Sequence, residues 1–134
     1  EQFLENLNQM WRNFCVSDSY EAGSTIKPFT IAGALEDGKI SKDQTFLCDG
    51  GEQVPGYYIH CHKKSGHGTL NVEQAIMNSC NDCLMQIAAI EGVETFCKYQ
   101  SLFGFGMKTI GVSQTLVQLH LFFDVKILMK HIMK

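Results

Sequence analysis

Apolar and polar residues alternate along the chain with a period that changes several times. From Glu1 to Trp11 the apolar residues Phe3, Leu4, Leu7, Met10 and Trp11 recur at helical intervals with polar residues between them, which predicts a short amphipathic lead-in helix. Between positions 25 and 37 the residues are apolar or small (Ile26, Phe29, Ile31, Ala32, Ala34, Leu35). That predicts a helix buried on most of its circumference. Gly38 closes it as a C-cap, and Ile40 is placed for the hydrophobic contact that follows such a turn. The period then shortens. Residues 45–48 and 57–61 are rich in aromatic and β-branched residues and are bounded by Asp49-Gly50-Gly51 and Pro55-Gly56, so they predict a hairpin with a long loop. Asn71 and Gln74 form a capping-box pair, predicting a helix from Val72 to about Asn78. Asp82 is the expected cap of the next helix, which carries Leu84, Met85, Ile87, Ala88 and Ile90 inward until Gly92 ends it.

Composition narrows the class without naming a chemistry. A chain of 134 residues with 45% hydrophobic and 19% charged residues is globular and long enough for one modest core. A net charge of -3 offers no basic patch for nucleic acid or anionic lipid, and no run of about 18 apolar residues predicts a membrane span. The chain starts without a methionine, as an internal piece would, and no secretory signal precedes its six cysteines, Cys15, Cys48, Cys61, Cys80, Cys83 and Cys97. A fragment of a longer protein is the simplest expectation.

Chemistry enters at Ser24. Lys27 lies three residues on, so in a helix beginning at Ser24 both side chains share a face, a hydroxyl nucleophile beside an amine base. Lysine can take the proton only if burial lowers its pKa, which a buried helix provides. Gly23 permits the tight entry, and Pro28 is tolerated so near a helix start. The plain alternative is an ordinary first turn with a solvated lysine. The wording around the pair points elsewhere: Tyr20-Glu21-Ala22-Gly23-Ser24-Thr25-Ile26-Lys27-Pro28 resembles the segment that carries the acylated serine in the transpeptidase domain of class B penicillin-binding proteins, with Ala22 in place of the usual proline. Trp11-Arg12-Asn13 and Val16-Ser17-Asp18 resemble what precedes that segment.

A second motif follows at Ser79-Cys80-Asn81. In a turn between two helices Ser79 and Asn81 project into one space while Cys80 points away. The surrounding residues 75–81 resemble the Ser-x-Asn stretch of the same family. The resemblance, covering about residues 11 to 109, implies that Ser24 attacks a D-alanyl-D-alanine carbonyl or a β-lactam, that Lys27 is the general base, that Ser79 relays a proton, and that Asn81 binds the substrate amide and holds Lys27. It implies a D,D-transpeptidase cross-linking peptidoglycan stem peptides without a cofactor. The whole protein would be membrane-anchored on the extracytoplasmic face of a bacterial cell and partnered with a glycan polymerase. A serine β-lactamase-like hydrolase and a non-catalytic remnant or binding module are the alternatives.

The implied fold is α+β, a partial β-lactamase/transpeptidase-like fold holding mostly its helical part, a short hairpin and little of the central sheet. Lys108-Thr109-Ile110-Gly111 follows Leu102-Phe103-Gly104-Phe105-Gly106 and resembles the end of that helical part, not the Lys-Thr-Gly strand that completes the site. That strand is expected beyond residue 134. Residues 1–109 are therefore assigned to the transpeptidase domain, and 110–134 to a divergent tail, read either as a frameshift product or as a helix covering surface left by the absent sheet. Cys48, His60, Cys61, His62 and His67 raise the question of zinc. No Cys-x-x-Cys pair lies in this stretch, and His60 and Cys61 fall on opposite faces of a strand, so no metal is expected. Because Cys80 lies inside the second motif and Cys61 ends the strand-like run before it, a Cys61–Cys80 disulfide is the candidate bridge, consistent with an extracytoplasmic setting.

Overall fold

The computed structural model describes residues 2–12, 21–54 and 56–105. In chain order these form α1 (Gln2–Met10), a 3-10 turn (Gly23–Ile26), α2 (Lys27–Glu36), β1 (Thr45–Cys48), β2 (Gly51–Val54), β3 (Tyr57–His60), β4 (Gly68–Asn71), α3 (Val72–Met77), α4 (Asn81–Glu91) and α5 (Val93–Leu102). This is the helix-dominated α+β arrangement expected. Residues 13–20, with Cys15 and Tyr20, and residues 106–134, with the tail, lie outside the described residues.

Helix α2 ends as its sequence predicts. Gly38, at φ +64°, donates its amide to the Leu35 carbonyl at 3.0 Å, and Lys39 donates to Ala34 at 2.9 Å, the paired bonds of a Schellman turn. Ile40 then folds into the core at 5% exposure. Burial of α2 is narrower than expected: Thr30, Ile31, Gly33 and Ala34 are inside, whereas Ala32 and Leu35 are exposed. Among the described residues α2 packs chiefly against α4 and α5, which cover only part of its circumference. Helix α1 forms but buries none of its residues, with Phe3 and Trp11 exposed by 72% and 77%. Its lead-in role does not extend to packing among the described residues.

The strands pair differently from the expected hairpin. β1 is antiparallel to β4, with Phe46 opposite Leu70, and β2 is antiparallel to β3, with Val54 opposite Tyr57. Gly51-Glu52-Gln53-Val54 has little strand character of its own, but the two-residue connection at 55–56 brings it directly against Tyr57–His60. Residues 45–48 find their partner instead in 68–71, which then runs straight into α3 through the capping box: Asn71 Oδ1 accepts from Gln74 N at 2.8 Å and Asn71 N donates to Gln74 Oε1 at 3.0 Å. Ile31, Ala34, Ile40, Phe46, Leu70, Ala75, Leu84 and Ile87 form the core with four buried cysteines. Edge-to-face rings of Phe29 with Phe103 and Phe105, at 4.8 and 5.1 Å, fasten the end of α5 to the start of α2.

Candidate active site

Ser24 stands on the exposed 3-10 turn that leads into α2, entered through Gly23 at φ +53°. A 3-10 turn has three residues per revolution, so side chains at Ser24 and Lys27 stack one above the other along its face. Lys27 is the first residue of α2, and its amide donates back to the Ser24 carbonyl. Among the described residues the Ser24 hydroxyl makes no hydrogen bond to the Lys27 amine. It stands open to an incoming carbonyl.

The other half of the site is the turn between α3 and α4. At its centre Ser79 adopts φ +46°, the one non-glycine among the described residues with positive φ. Ser79 N donates to Ile76 O and Cys80 N to Ala75 O, both at 2.9 Å, so Ser79 fills the left-handed position of a Schellman turn that glycine usually occupies. A non-glycine there costs about 1 kcal/mol or more. What glycine could not supply is a hydroxyl. Cys80 caps α4, its sulfur accepting from Cys83 N at 3.5 Å, and takes the capping role expected of Asp82. Asp82 is buried and accepts from Asp49 N at 3.1 Å and Gln86 Nε2 at 2.7 Å, tying α4 to the β1–β2 turn.

Lys27 joins the two halves. Its Nζ donates to Ser79 O at 2.7 Å, Ser79 Oγ at 2.9 Å and Asn81 Oδ1 at 2.6 Å. Asn81 is in turn oriented by its Nδ2, which donates to His60 O at 3.3 Å. Desolvation by partial burial holds the Lys27 pKa below the ordinary lysine value, opposed by the nearby thiols of Cys61 and Cys80. An ammonium has three protons for these three acceptors. Once neutral, the amine keeps two, for the Ser79 carbonyl and Asn81 Oδ1, and its lone pair can accept from a hydroxyl. The arrangement can therefore pass a proton between Lys27 and Ser79 Oγ, and it brings together Lys27, Ser79 and Asn81 with Ser24 one turn away.

The family model for the penicillin binding protein transpeptidase domain matches residues 2–116. The chain belongs to this family. Stage V sporulation protein D of Bacillus subtilis (strain 168) is 39% identical over 99 residues, 73% of this chain and 15% of that protein. Peptidoglycan D,D-transpeptidase MrdA of Acinetobacter baumannii is 33% identical over 107 residues, 78% of this chain and 16% of that protein. The chain thus spans about a sixth of the length of these curated relatives. Among solved structures, Pseudomonas aeruginosa PBP2 in complex with WCK 5153 superposes with a TM-score of 0.61 at 28% identity, covering 66% of this chain and 20% of that one. The D,D-transpeptidase domain of a peptidoglycan glycosyltransferase from Eggerthella lenta shares the fold, with a TM-score of 0.72 at 23% identity over 98% of this chain and 32% of that one.

Behind the Ser79–Asn81 turn of this transpeptidase family member, Cys48, Cys61 and His67, neighbours in the sequence, are joined by Cys80. Cys80 points inward, and its Sγ stands 3.8 Å from that of Cys61, with both thiols free. Cys48 and His67 complete the group of four; His62 touches its edge, with Nδ1 3.8 Å from Cys61 Sγ, and His60 does not join it. Burial pushes the Cys48 thiol up to about 12 and that of Cys80 up to about 11. At Cys61 burial acts in the same sense, but the backbone amides of Lys63, Asn81 and Asp82 outweigh it and lower the pKa. His67 is lowered by desolvation and by His62 and Lys63, which favours the neutral ring. In the sequence Cys80 lies beyond α3, far from the Cys48–His67 stretch, and is linked to it only as the candidate disulfide partner of Cys61. The signal available was Gly50, two residues after Cys48, and Gly66 beside His67, which let separate loops close on one another.

Proposed function

We propose that the chain carries the acylating half of a penicillin-binding D,D-transpeptidase site. Lys27, bonded to Ser79 Oγ and Asn81 Oδ1 across 52 and 54 positions, is the observation that carries this reading, since a solvated helix lysine has no cause to reach that turn. Ser24 Oγ attacks the penultimate D-alanyl carbonyl of a stem peptide, or the β-lactam carbonyl, as neutral Lys27 takes its proton. A tetrahedral oxyanion forms, the C–N bond breaks, and Ser79 hands the proton from Lys27 to the leaving amine. Asn81 Nδ2, with one hydrogen on His60, keeps a second for the substrate amide. In the parent protein the acyl group then passes to the amine of a second stem peptide, on the extracytoplasmic face of a bacterial membrane and beside a glycan polymerase. Among the described residues no helix is long and apolar enough to cross a membrane.

Among the described residues the one buried carboxylate without a hydrogen-bond partner lies far from the Ser79–Asn81 turn. Glu91, whose side-chain oxygens are buried and unpartnered, lies ten residues from Asn81 along α4. At 1.5 Å per residue that places it about 15 Å away, out of reach as a base for deacylation. Incubation of the chain with a fluorescent penicillin, read by intact mass, is expected to give one long-lived adduct that peptide mapping places on Ser24 and that Ser24→Ala abolishes. A folded chain without an adduct, or an adduct that survives Ser24→Ala, would overturn the assignment.

A further inference from the structure

The back of the catalytic turn carries reactive groups that acyl transfer does not use. Cys48 at the end of β1, Cys61 after β3, His67 before β4 and Cys80 at the start of α4 place their four ligand atoms within 4.8 Å of one another. Three of its edges are short: Cys61 Sγ to Cys80 Sγ is 3.8 Å, Cys61 Sγ to His67 Nδ1 3.6 Å and Cys48 Sγ to His67 Nδ1 3.4 Å. A tetrahedral ion with metal–sulfur bonds of about 2.3 Å and metal–nitrogen bonds of about 2.0 Å requires sulfur–sulfur edges of about 3.8 Å and sulfur–nitrogen edges of about 3.5 Å. Three of the six edges have these dimensions already, and the whole group, within 4.8 Å, needs to contract by no more than about 1 Å to close on an ion.

The surroundings also suit thiolates. Backbone amides of Lys63, Asn81 and Asp82 face the Cys61 sulfur, those of His67 and Gly50 face Cys48, and that of Cys83 donates to Cys80 at 3.5 Å. The three cysteines are at most 1% exposed. Glycines hold the contributing loops together: a Cβ at Gly50 would overlap the Lys64 carbonyl, and one at Gly66 the Cys48 carbonyl. Cys61 N closes the frame by donating to Gly50 O at 2.8 Å. A Cys61–Cys80 bridge would employ two of these four groups and leave Cys48 and His67 without a role. Cys83 is buried nearby but turns its thiol to the Phe46 carbonyl at 3.9 Å, outside the group.

We propose that Cys48, Cys61, His67 and Cys80 form a tetrahedral zinc site that pins the turn bearing Ser79 and Asn81. Cys80 lies between those two residues, so a bond from its sulfur to an ion fixes the backbone that aims both of them at Lys27. The site binds its ion whether or not Ser24 is acylated. Its test is therefore separate from that of the acyl chemistry.

The probe is Co2+ added to the reduced 134-residue chain. One ion per chain is expected, with thiolate-to-cobalt charge transfer and the intense visible bands of tetrahedral cobalt, bleached when Zn2+ displaces it. Cys83→Ala should leave this spectrum unchanged. Cys80→Ser and His67→Ala should weaken binding by about 100-fold or more, above the effect of losing an outer-shell partner. Zn2+ should also slow amide exchange at residues 79–82. A folded, reduced chain with no cobalt spectrum, a weak octahedral spectrum, or full affinity in Cys80→Ser would overturn the site, and the unmutated chain alone suffices for the first two. Binding without any change in exchange at 79–82 would overturn the pinning.

Discussion

Replacing Lys27 by arginine is expected to reduce acylation of Ser24 by penicillin about 1,000-fold while the chain remains folded. A positioned general base contributes about 100- to 10,000-fold, and arginine retains the cation and its donors but cannot release a proton near neutrality. It can still reach the Ser79 carbonyl, Ser79 Oγ and Asn81 Oδ1, so the α3–α4 turn keeps its partners. Lys27→Met should be equally inactive and also less stable, because three acceptors lose their donor at about 1 kcal/mol or more each. In the unmutated chain the acylation rate should rise with pH as Lys27 loses its proton, and should level off at a lower pH than an ordinary lysine would give, since burial depresses this pKa. Stopped-flow acylation across pH, beside thermal melts of both variants, separates loss of the base from loss of the fold. An arginine variant that acylates at the normal rate would remove Lys27 from the chemistry.

Stability should fall by about 3 kcal/mol between pH 4.5 and 7 on account of Glu91. This residue is 2% exposed, neither carboxyl oxygen has a partner, and burial followed by the charge of Asp37 raises its pKa to about 7. In the unfolded chain the group ionises at its ordinary value, whereas in the folded chain it keeps its proton until about pH 7. The folded state therefore binds more protons across that window, and stability is lost as pH rises through it and then levels off. The carboxyl is wedged between helices. A Cβ at Gly33 of α2 would come within 2.5 Å of Glu91 Oε1 and 2.9 Å of the Tyr99 ring. Asp37, the charged group nearby, is itself held below its ordinary pKa by hydrogen bonds from Lys98 and Tyr99. Glu91→Gln should differ little from the unmutated chain at pH 4 and exceed it by up to about 3 kcal/mol at pH 8. Urea denaturation at several pH values reads this directly, and parallel curves for the two proteins would show that Glu91 ionises normally.

What the sequence revealed in advance was local. The Asn71–Gln74 capping box and the Gly38 turn needed partners only a few residues apart, and both formed as their residue types dictate. The strand ladders were not legible because pairing is decided by what a loop brings opposite, and a polar run such as 51–54 becomes a strand only once 57–60 lies beside it. Cap and side-chain roles also shifted where tertiary partners competed. Asp82 forgoes the N-cap because Asp49 N and Gln86 claim its oxygens, and Cys80, already facing inward, takes that place. Glu91 did leave a trace. It continues the inward stripe of Leu84 and Ile87 at helical spacing, where an acid has no solvent to face. The meeting of Lys27 with Ser79 and Asn81 could be anticipated only through the wording of a known family, since nothing in the spacing of residues 52 positions apart brings them together.

The left-handed backbone at Ser79 sets thermal robustness against chemistry at a single codon. Glycine would relieve the strain there and keep both amide bonds of the turn, and so would be enriched by any selection that rewards only survival on heating. Each such gain would delete the hydroxyl that faces Lys27. A lineage adapting to heat, or a laboratory library sorted for it, would drift toward chains that fold better and lack the hydroxyl proposed to relay the proton. Serine at this position thus trades backbone strain for a hydroxyl beside Lys27.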